Sequence, residues 1–238
     1  MVVHPRNGNF CIVHGSCHRG WCWKKVTPLL SKNGHNVYTP TLTGLGERSH
    51  LVSSDIGLDT HIIDVTQVLE YEDLNEVILI GHSYGGLVIA GVAGNVPQRI
   101  RHLVYLDAYI PQDNKSALDI VPGLETIYNQ RALKEQRMEW LVASYKPEEF
   151  GVTNSVDINW MNTRLCPMSW HTHDQPIRIT NPESKKLPKI YISCSEFGDS
   201  QFKAQKSPSD WDYHKLTGGH DAMITVPKRL VQMLEVLT

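Results

Sequence analysis

The chain predicts an α/β fold with a mostly parallel sheet of about six strands flanked by helices, on three observations. Short apolar runs alternate with amphipathic stretches along most of the 238 residues. One run, Val77-Ile78-Leu79-Ile80, passes directly into Gly81-His82-Ser83-Tyr84-Gly85, where a strand must turn sharply into a helix. Another, residues 213–216, leads into Gly218-Gly219-His220 just ahead of a closing helix. Strands alternating with helices imply parallel pairing and right-handed crossovers.

Each element has a local reason. Residues 10–13 read as a short buried strand ending at His14-Gly15. Residues 21–30 read as a helix, stopped by Asn33-Gly34. Residues 36–40 form the second strand, and the polar stretch 41–54 a loop. Asp59 is placed to cap a helix whose inner face is Ile62, Val65 and Leu69. The helix at 84–95 carries Gly86, Ala90, Gly91 and Gly94, which cost helix propensity but suit close packing on a sheet; Pro97 ends it. Residues 103–106, 190–193 and 213–216 complete the strands. The last helix opens near Pro227 and buries Leu230, Val231, Leu234 and Leu237.

Between Pro111 and Pro182 the alternation stops. That stretch offers a helical segment at 131–142 and irregular pieces bearing Trp140, Trp160, Trp170, Leu165 and Met168. Residues 111–182 are therefore read as a small helical lid over the sheet's carboxyl edge, where ligands bind in such folds, with 1–110 and 183–238 as the core. As a group, the lid's large apolar residues point to a partly enclosed pocket for compact, uncharged ligands.

Bulk properties narrow the class. An apolar content of 41% with 20% charge is ordinary for a globular protein, and the chain is long enough to bury a core without staples. A formal net charge of −2 gives no reason to expect nucleic acid or an anionic membrane as partner. No signal-peptide pattern or membrane-length apolar run is present, so a cytoplasmic location is expected. Five cysteines, Cys11, Cys17, Cys22, Cys166 and Cys194, form no C-x-x-C pair and read as reduced thiols. Oligomeric state stays open, a homodimer included.

The chemistry rests on Ser83. Gly81 and Gly85 leave room for a strained turn that exposes a serine hydroxyl, which makes Ser83 the candidate nucleophile. A serine hydroxyl needs a base beside it, and His220 follows the last strand at the same sheet edge. An acid must orient that imidazole. Asp107, at the end of Leu103-Val104-Tyr105-Leu106, and Asp199, in the loop after residues 190–193, both keep the order Ser–Asp–His; Glu196 competes, and the reading leans to Asp107. Oxyanion donors are assigned to the backbone N–H groups of Tyr84 and Ser16. His171-Thr172-His173-Asp174 lacks further spaced ligands and is a weak metal signal, so no metal or cofactor is expected and the segment is placed at the lid.

Together these residues resemble the α/β-hydrolase superfamily. The stretches His14-Gly15-Ser16-Cys17-His18-Arg19-Gly20-Trp21-Cys22-Trp23, Pro28-Leu29-Leu30, residues 81–86 and residues 218–223 look like the branch of plant methyl-ester esterases, among them the salicylic-acid-binding and polyneuridine aldehyde esterases, and of plant hydroxynitrile lyases. Bacterial esterase-like members look closer still around residues 40–51. The lyases carry a Thr where this chain has Gly15 and a Lys where it has Asp221; the esterases share the Gly but have an apolar residue in place of Asp221. The resemblance implies a serine hydrolase that cleaves carboxylic esters of small molecules through an acyl-enzyme. The alternatives are cyanohydrin-type C–C cleavage, lactone hydrolysis, or a receptor-like protein with slow turnover.

Overall fold

The first strand, β1 (Asn9–Val13), is buried along all but its first residue. This computed structural model describes residues 7–194 and 208–237. After β1 come α1 (Thr27–Lys32), β2 (Asn36–Tyr38), α2 (Leu58–Tyr71), β3 (Val77–His82), α3 (Gly85–Asn95) and β4 (Ile100–Leu106). The stretch that follows holds α4 (Ala117–Ile120), α5 (Leu124–Arg131), β5 (Ala132–Leu133), β6 (Met138–Val142), α6 (Ser155–Asn162), β7 (Met168–Ser169), α7 (His171–Asp174) and α8 (Pro182–Lys186). The chain then returns to β8 (Lys189–Cys194), β9 (Asp212–Leu216), α9 (Ala222–Thr225) and α10 (Pro227–Glu235).

The main sheet has six strands in the order β2-β1-β3-β4-β8-β9, all pairs parallel, as the alternation of elements predicted. From β1 the chain builds outward on one side to β2, then crosses to β3 on the other. That reversal, between β1 and β3, is where an open α/β sheet leaves a crevice at the carboxyl ends of its strands. Register does the rest. Val13 pairs with Gly81, His82 with Leu106, and Leu106 with Ile192. Two residues past β1, one past β3 and one past β4 therefore form a row: Gly15, Ser83 and Asp107.

The sheet core is continuous, since Phe10, Ile12, Ile78, Ile80, Val104 and Ile192 are fully buried. Ile62, Val65 and Leu69 form the inner face of α2 and Leu230, Val231 and Leu234 that of α10, as expected; Leu237, expected with them, lies past the end of α10 and is half-buried. The small residues of α3 divide. A Cβ on Gly86 would press into the Tyr109 carbonyl, and one on Gly91 into Ile62 of α2; Gly94 has open space around it. Among the described residues no helix is long and apolar enough to cross a membrane.

Three local expectations are corrected. Residues 21–30 are not one helix: a 3₁₀ turn at Gly20–Trp23 is followed by α1, with Pro28 in its first turn. A proline ring collides with the carbonyl four residues back, so no helix runs through it from Trp21. Asp59 is not the cap of α2; Gly57 holds that position, and the Asp59 carboxylate instead accepts from Gln175 at 2.8 Å. Residues 131–142 are not one helix: α5 ends at Arg131, and β5 and β6 then pair antiparallel across a 3₁₀ turn at Lys134–Gln136 and Arg137, whose φ is 56°. Exposed Glu139 stands between half-buried Met138 and Trp140, the alternation of a strand rather than a helix. With β7 these strands make a second, three-stranded sheet inside the segment read as a lid.

The two α3 glycines should separate by stability. Gly86→Ala should lower the unfolding free energy by about 1–3 kcal/mol, because its methyl meets backbone that cannot rotate away. Gly94→Ala should raise it by about 0.5–1 kcal/mol by removing unfolded-state freedom. Urea unfolding of both variants reads the difference; equal shifts would contradict the packing described here.

Candidate active site

Ser83 occupies the turn between β3 and α3 with φ 53°, a left-handed conformation that disfavours a side chain. A Cβ on Gly81 would run into the Gly85 backbone, and one on Gly85 would come within 2.9 Å of the Val13 carbonyl, so the turn closes only with glycine at both places. The strain at Ser83 is held from both sides. Its N–H donates to the Leu106 carbonyl at 3.2 Å, and its carbonyl accepts from Gly86 and Tyr109, each at 3.0 Å. Tyr109 is itself buried beside this turn.

Asp107 also carries a positive φ, 44°, one residue past β4. Its N–H donates to Ile192 at 2.7 Å, which keeps the sheet ladder running to this point. The carboxylate accepts from the Cys194 N–H at 3.1 Å on one oxygen and from His220 Nδ1 at 2.7 Å on the other. His220 and Asp107 are both buried. His220 reaches the site on the loop after β9. A Cβ on Gly219 would sit 2.8 Å from the Gly151 carbonyl, so the loop lies flat against residues 150–151. Of the three acids weighed from sequence, Asp107 lies beside His220; Asp199 and Glu196 lie outside the described residues.

The loop after β1 faces this row. A Cβ on Gly15 would sit 2.8 Å from Ser83 Cβ, which fixes how closely the loop approaches the serine. Ser16 is buried next to it. Its hydroxyl lies 3.0 Å from His173 Nε2, and the direction of that bond follows from its neighbours. Thr172 Oγ1 donates to the Ser169 carbonyl at 2.7 Å, so it must accept from His173 Nδ1, 2.8 Å away. His173 Nε2 is then an acceptor, and Ser16 donates to it. The buried Tyr128 ring packs on His173, with centroids 4.7 Å apart. Tyr84 stacks on His173 at 4.6 Å and donates its hydroxyl to His61 Nδ1 at 3.0 Å, because His61 Nε2 faces the Thr43 carbonyl.

Burial keeps these imidazoles neutral. His14 and His173 are each lowered to about 3 by loss of water, and His61 and His82 are lowered for the same reason. The histidines of His171-Thr172-His173-Asp174 point apart. His171 bonds Asp174 at 2.7 Å, while His173 turns inward to Ser16. Among the described residues no group of three or more His, Cys, Asp or Glu side chains is arranged to hold a metal ion. His173 belongs at the site itself, which the sequence reading missed although it singled the segment out. Asp221, noted as a departure from relatives, is fully buried and bonds His18 Nε2 at 2.9 Å. Tyr109 and Tyr128 had no sequence signal at all.

Comparison with known proteins bears on this geometry. The chain is 35% identical to a carbendazim hydrolyzing esterase from Nocardioides sp., across 96% of this chain and 99% of that one. It is 31% identical to salicylic acid-binding protein 2 of Nicotiana tabacum, across 79% of this chain and 78% of the other. An extracellular alpha/beta-hydrolase from a Paenibacillus species superposes with a TM-score of 0.78 at 22% identity, covering 95% of this chain and 97% of that chain. With residues 12–231 matching the model of the alpha/beta hydrolase family, the chain belongs to that family.

Proposed function

We propose that this protein is a carboxylesterase working through an acyl-enzyme, with Ser83 as nucleophile, His220 as base and Asp107 as the acid that orients it. The observation that carries the reading is the 2.7 Å contact between the Asp107 carboxylate and His220 Nδ1, made beside a serine held in a left-handed turn. With Nδ1–H fixed on Asp107, Nε2 is the nitrogen left to take the Ser83 proton and return it to the leaving alcohol. The carboxylate stabilises the imidazolium formed on the way. The N–H groups of Ser16 and Tyr84 are the oxyanion donors in this reading. Water then releases the acid. Esterase relatives at 35% and 31% identity support the reaction class. No step calls for a metal or cofactor.

The cyanohydrin-cleaving alternative finds no support at the two positions that separate it. Gly15 has no space for a threonine side chain against Ser83. Asp221 puts a carboxylate, not an ammonium, next to His220. In the proposed substrate site, residues 111–182 supply a lid, and buried rings of Tyr84, Tyr109 and Tyr128 with His173 favour compact uncharged esters. A cytoplasmic location is part of the proposal, supported by five cysteines without a C-x-x-C pair.

Ser83→Ala should lower turnover of an aryl ester by about 10⁴–10⁶. Asp107→Asn should cost about 10⁴ through the wrong imidazole tautomer, and Asp199→Asn little. Steady-state kinetics on the three variants decides; the reverse order for the two aspartates would transfer the acid role to Asp199. Across aryl esters from acetate to dodecanoate, kcat/KM should rise with each added CH₂, about 0.8 kcal/mol apiece, and then fall once the pocket is full. A rise continuing to the longest chain would mean an open groove instead.

A further inference from the structure

A second carboxylate–imidazole pair lies one residue along from the first. His18 and Asp221 are both buried, 1% and 0% exposed. His18 Nδ1 is 2.8 Å from the Ser16 carbonyl and Nε2 is 2.9 Å from Asp221 Oδ2. A carbonyl only accepts, so Nδ1 carries a hydrogen. Nε2 faces a carboxylate, and with a hydrogen there too the ring is an imidazolium. The Asp221 carboxylate beside His18 raises its basicity against the opposing loss of water. Among the described residues, the titratable groups that act on the pair include His14 and His82, which burial keeps neutral, and Cys22 and Cys194, whose thiols burial pushes up. The rings of Trp21 and Phe150 close the remaining sides.

The pair joins two loops. Ser16 belongs to the tight turn Gly15-Ser16-Cys17-His18, where Cys17 has φ 64° with a full side chain and the His18 N–H reaches the Gly15 carbonyl only at 3.4 Å. That turn is strained and weakly bonded along its own backbone. His18 folds back over Cys17 to hold Ser16 by its carbonyl. Asp221 directly follows His220, and the His220 carbonyl is itself held by His82 Nε2 at 3.0 Å. A buried ion pair is a poor source of stability, because desolvation offsets most of its attraction, and an apolar pair of similar volume often does as well. Its placement between these two loops points to a geometric role.

We propose that His18 and Asp221 are positioning residues: the imidazolium of His18, held by Asp221, fixes the turn that presents the Ser16 N–H to the oxyanion and ties it to the loop carrying His220. This rests on the reading of Ser83, His220 and Ser16 given above. Neither residue touches substrate. The pair acts by keeping a donor aimed where negative charge develops, which matters in the transition state and little before it.

The test uses His18→Gln, Asp221→Asn and the apolar double variant H18M/D221L, with rates counted per Ser83 titrated by a fluorophosphonate, so that only folded sites are scored. Each single variant should lose about 10–100-fold in kcat, short of the loss for removing an oxyanion donor outright, with KM nearly unchanged. Affinity for an aryl trifluoromethyl ketone, which Ser83 converts to a tetrahedral oxyanion adduct, should fall by the same factor; binding of the matching unreactive amide should not. The double variant should keep its melting temperature and stay slow. Wild-type kcat and ketone affinity in titrated variants, or recovery of turnover in the double variant, would overturn the proposal. Should the single variants not fold, the imidazole ¹⁵N shifts of His18 in the unaltered protein decide: both nitrogens protonated at pH 7 supports it, a neutral ring overturns it. Failure of the unaltered protein to be titrated at Ser83 would instead remove the esterase reading beneath it.

Discussion

The contact between the Asp107 carboxylate and His220 Nδ1 depends on nearly every other feature of the fold. It needs β4 beside β3, so that Asp107 falls next to Ser83, and the parallel register of Leu106 with Ile192, so that the Cys194 N–H fills the second carboxylate oxygen. It also needs the loop after β9 to come back across two strands, which it does by pressing Gly219 on the Gly151 backbone. A left-handed conformation costs a residue with a side chain about 1–2 kcal/mol. Ser83 and Asp107 each adopt one, and each is bonded through its N–H to the adjacent strand. Strain at these positions is held by the sheet.

Around this contact the protein keeps charge scarce. His14, His61, His82 and His173 are buried and neutral; His14, His61 and His173 each bridge two polar groups through both ring nitrogens, while His82 holds the His220 carbonyl through Nε2. His14 links the Gly15 carbonyl to the Leu42 N–H, and His61 links Thr43 to Tyr84. Neutral imidazoles suit this work, since one nitrogen donates and the other accepts. In such surroundings a carboxylate acts strongly on its neighbour, and both buried carboxylates here face an imidazole. The chain of Ser16, His173 and Thr172 carries the same logic from the β1 loop into the segment above the sheet. Its bond directions follow from a single donor, the Thr172 hydroxyl on the Ser169 carbonyl.

Sequence made the parallel sheet, the Ser83 turn and the His220 loop legible because their signals are local: an apolar run, two glycines at fixed offsets, a closing helix. The acid was legible only as a choice. Asp107, read at the end of one strand, and Asp199, read in the loop after another, both keep the order Ser–Asp–His, and deciding between them takes a distance to His220, which no spacing encodes. The polar network was not legible at all. His18 meets Asp221 across 203 residues and Ser16 meets His173 across 157, so neither pairing leaves a pattern along the chain. Short elements failed for a different reason. Residues 131–142 carry too few apolar positions for their period to be read, and a strand pair around Arg137 took the place of the expected helix.

Mapping the site of covalent attack by a fluorophosphonate tests the central claim most directly. Peptide mass analysis should find the phosphonyl group on Ser83, formed rapidly in the unaltered protein and orders of magnitude more slowly in Asp107→Asn. Modification of a different residue, or equal labelling rates in the two proteins, would contradict it.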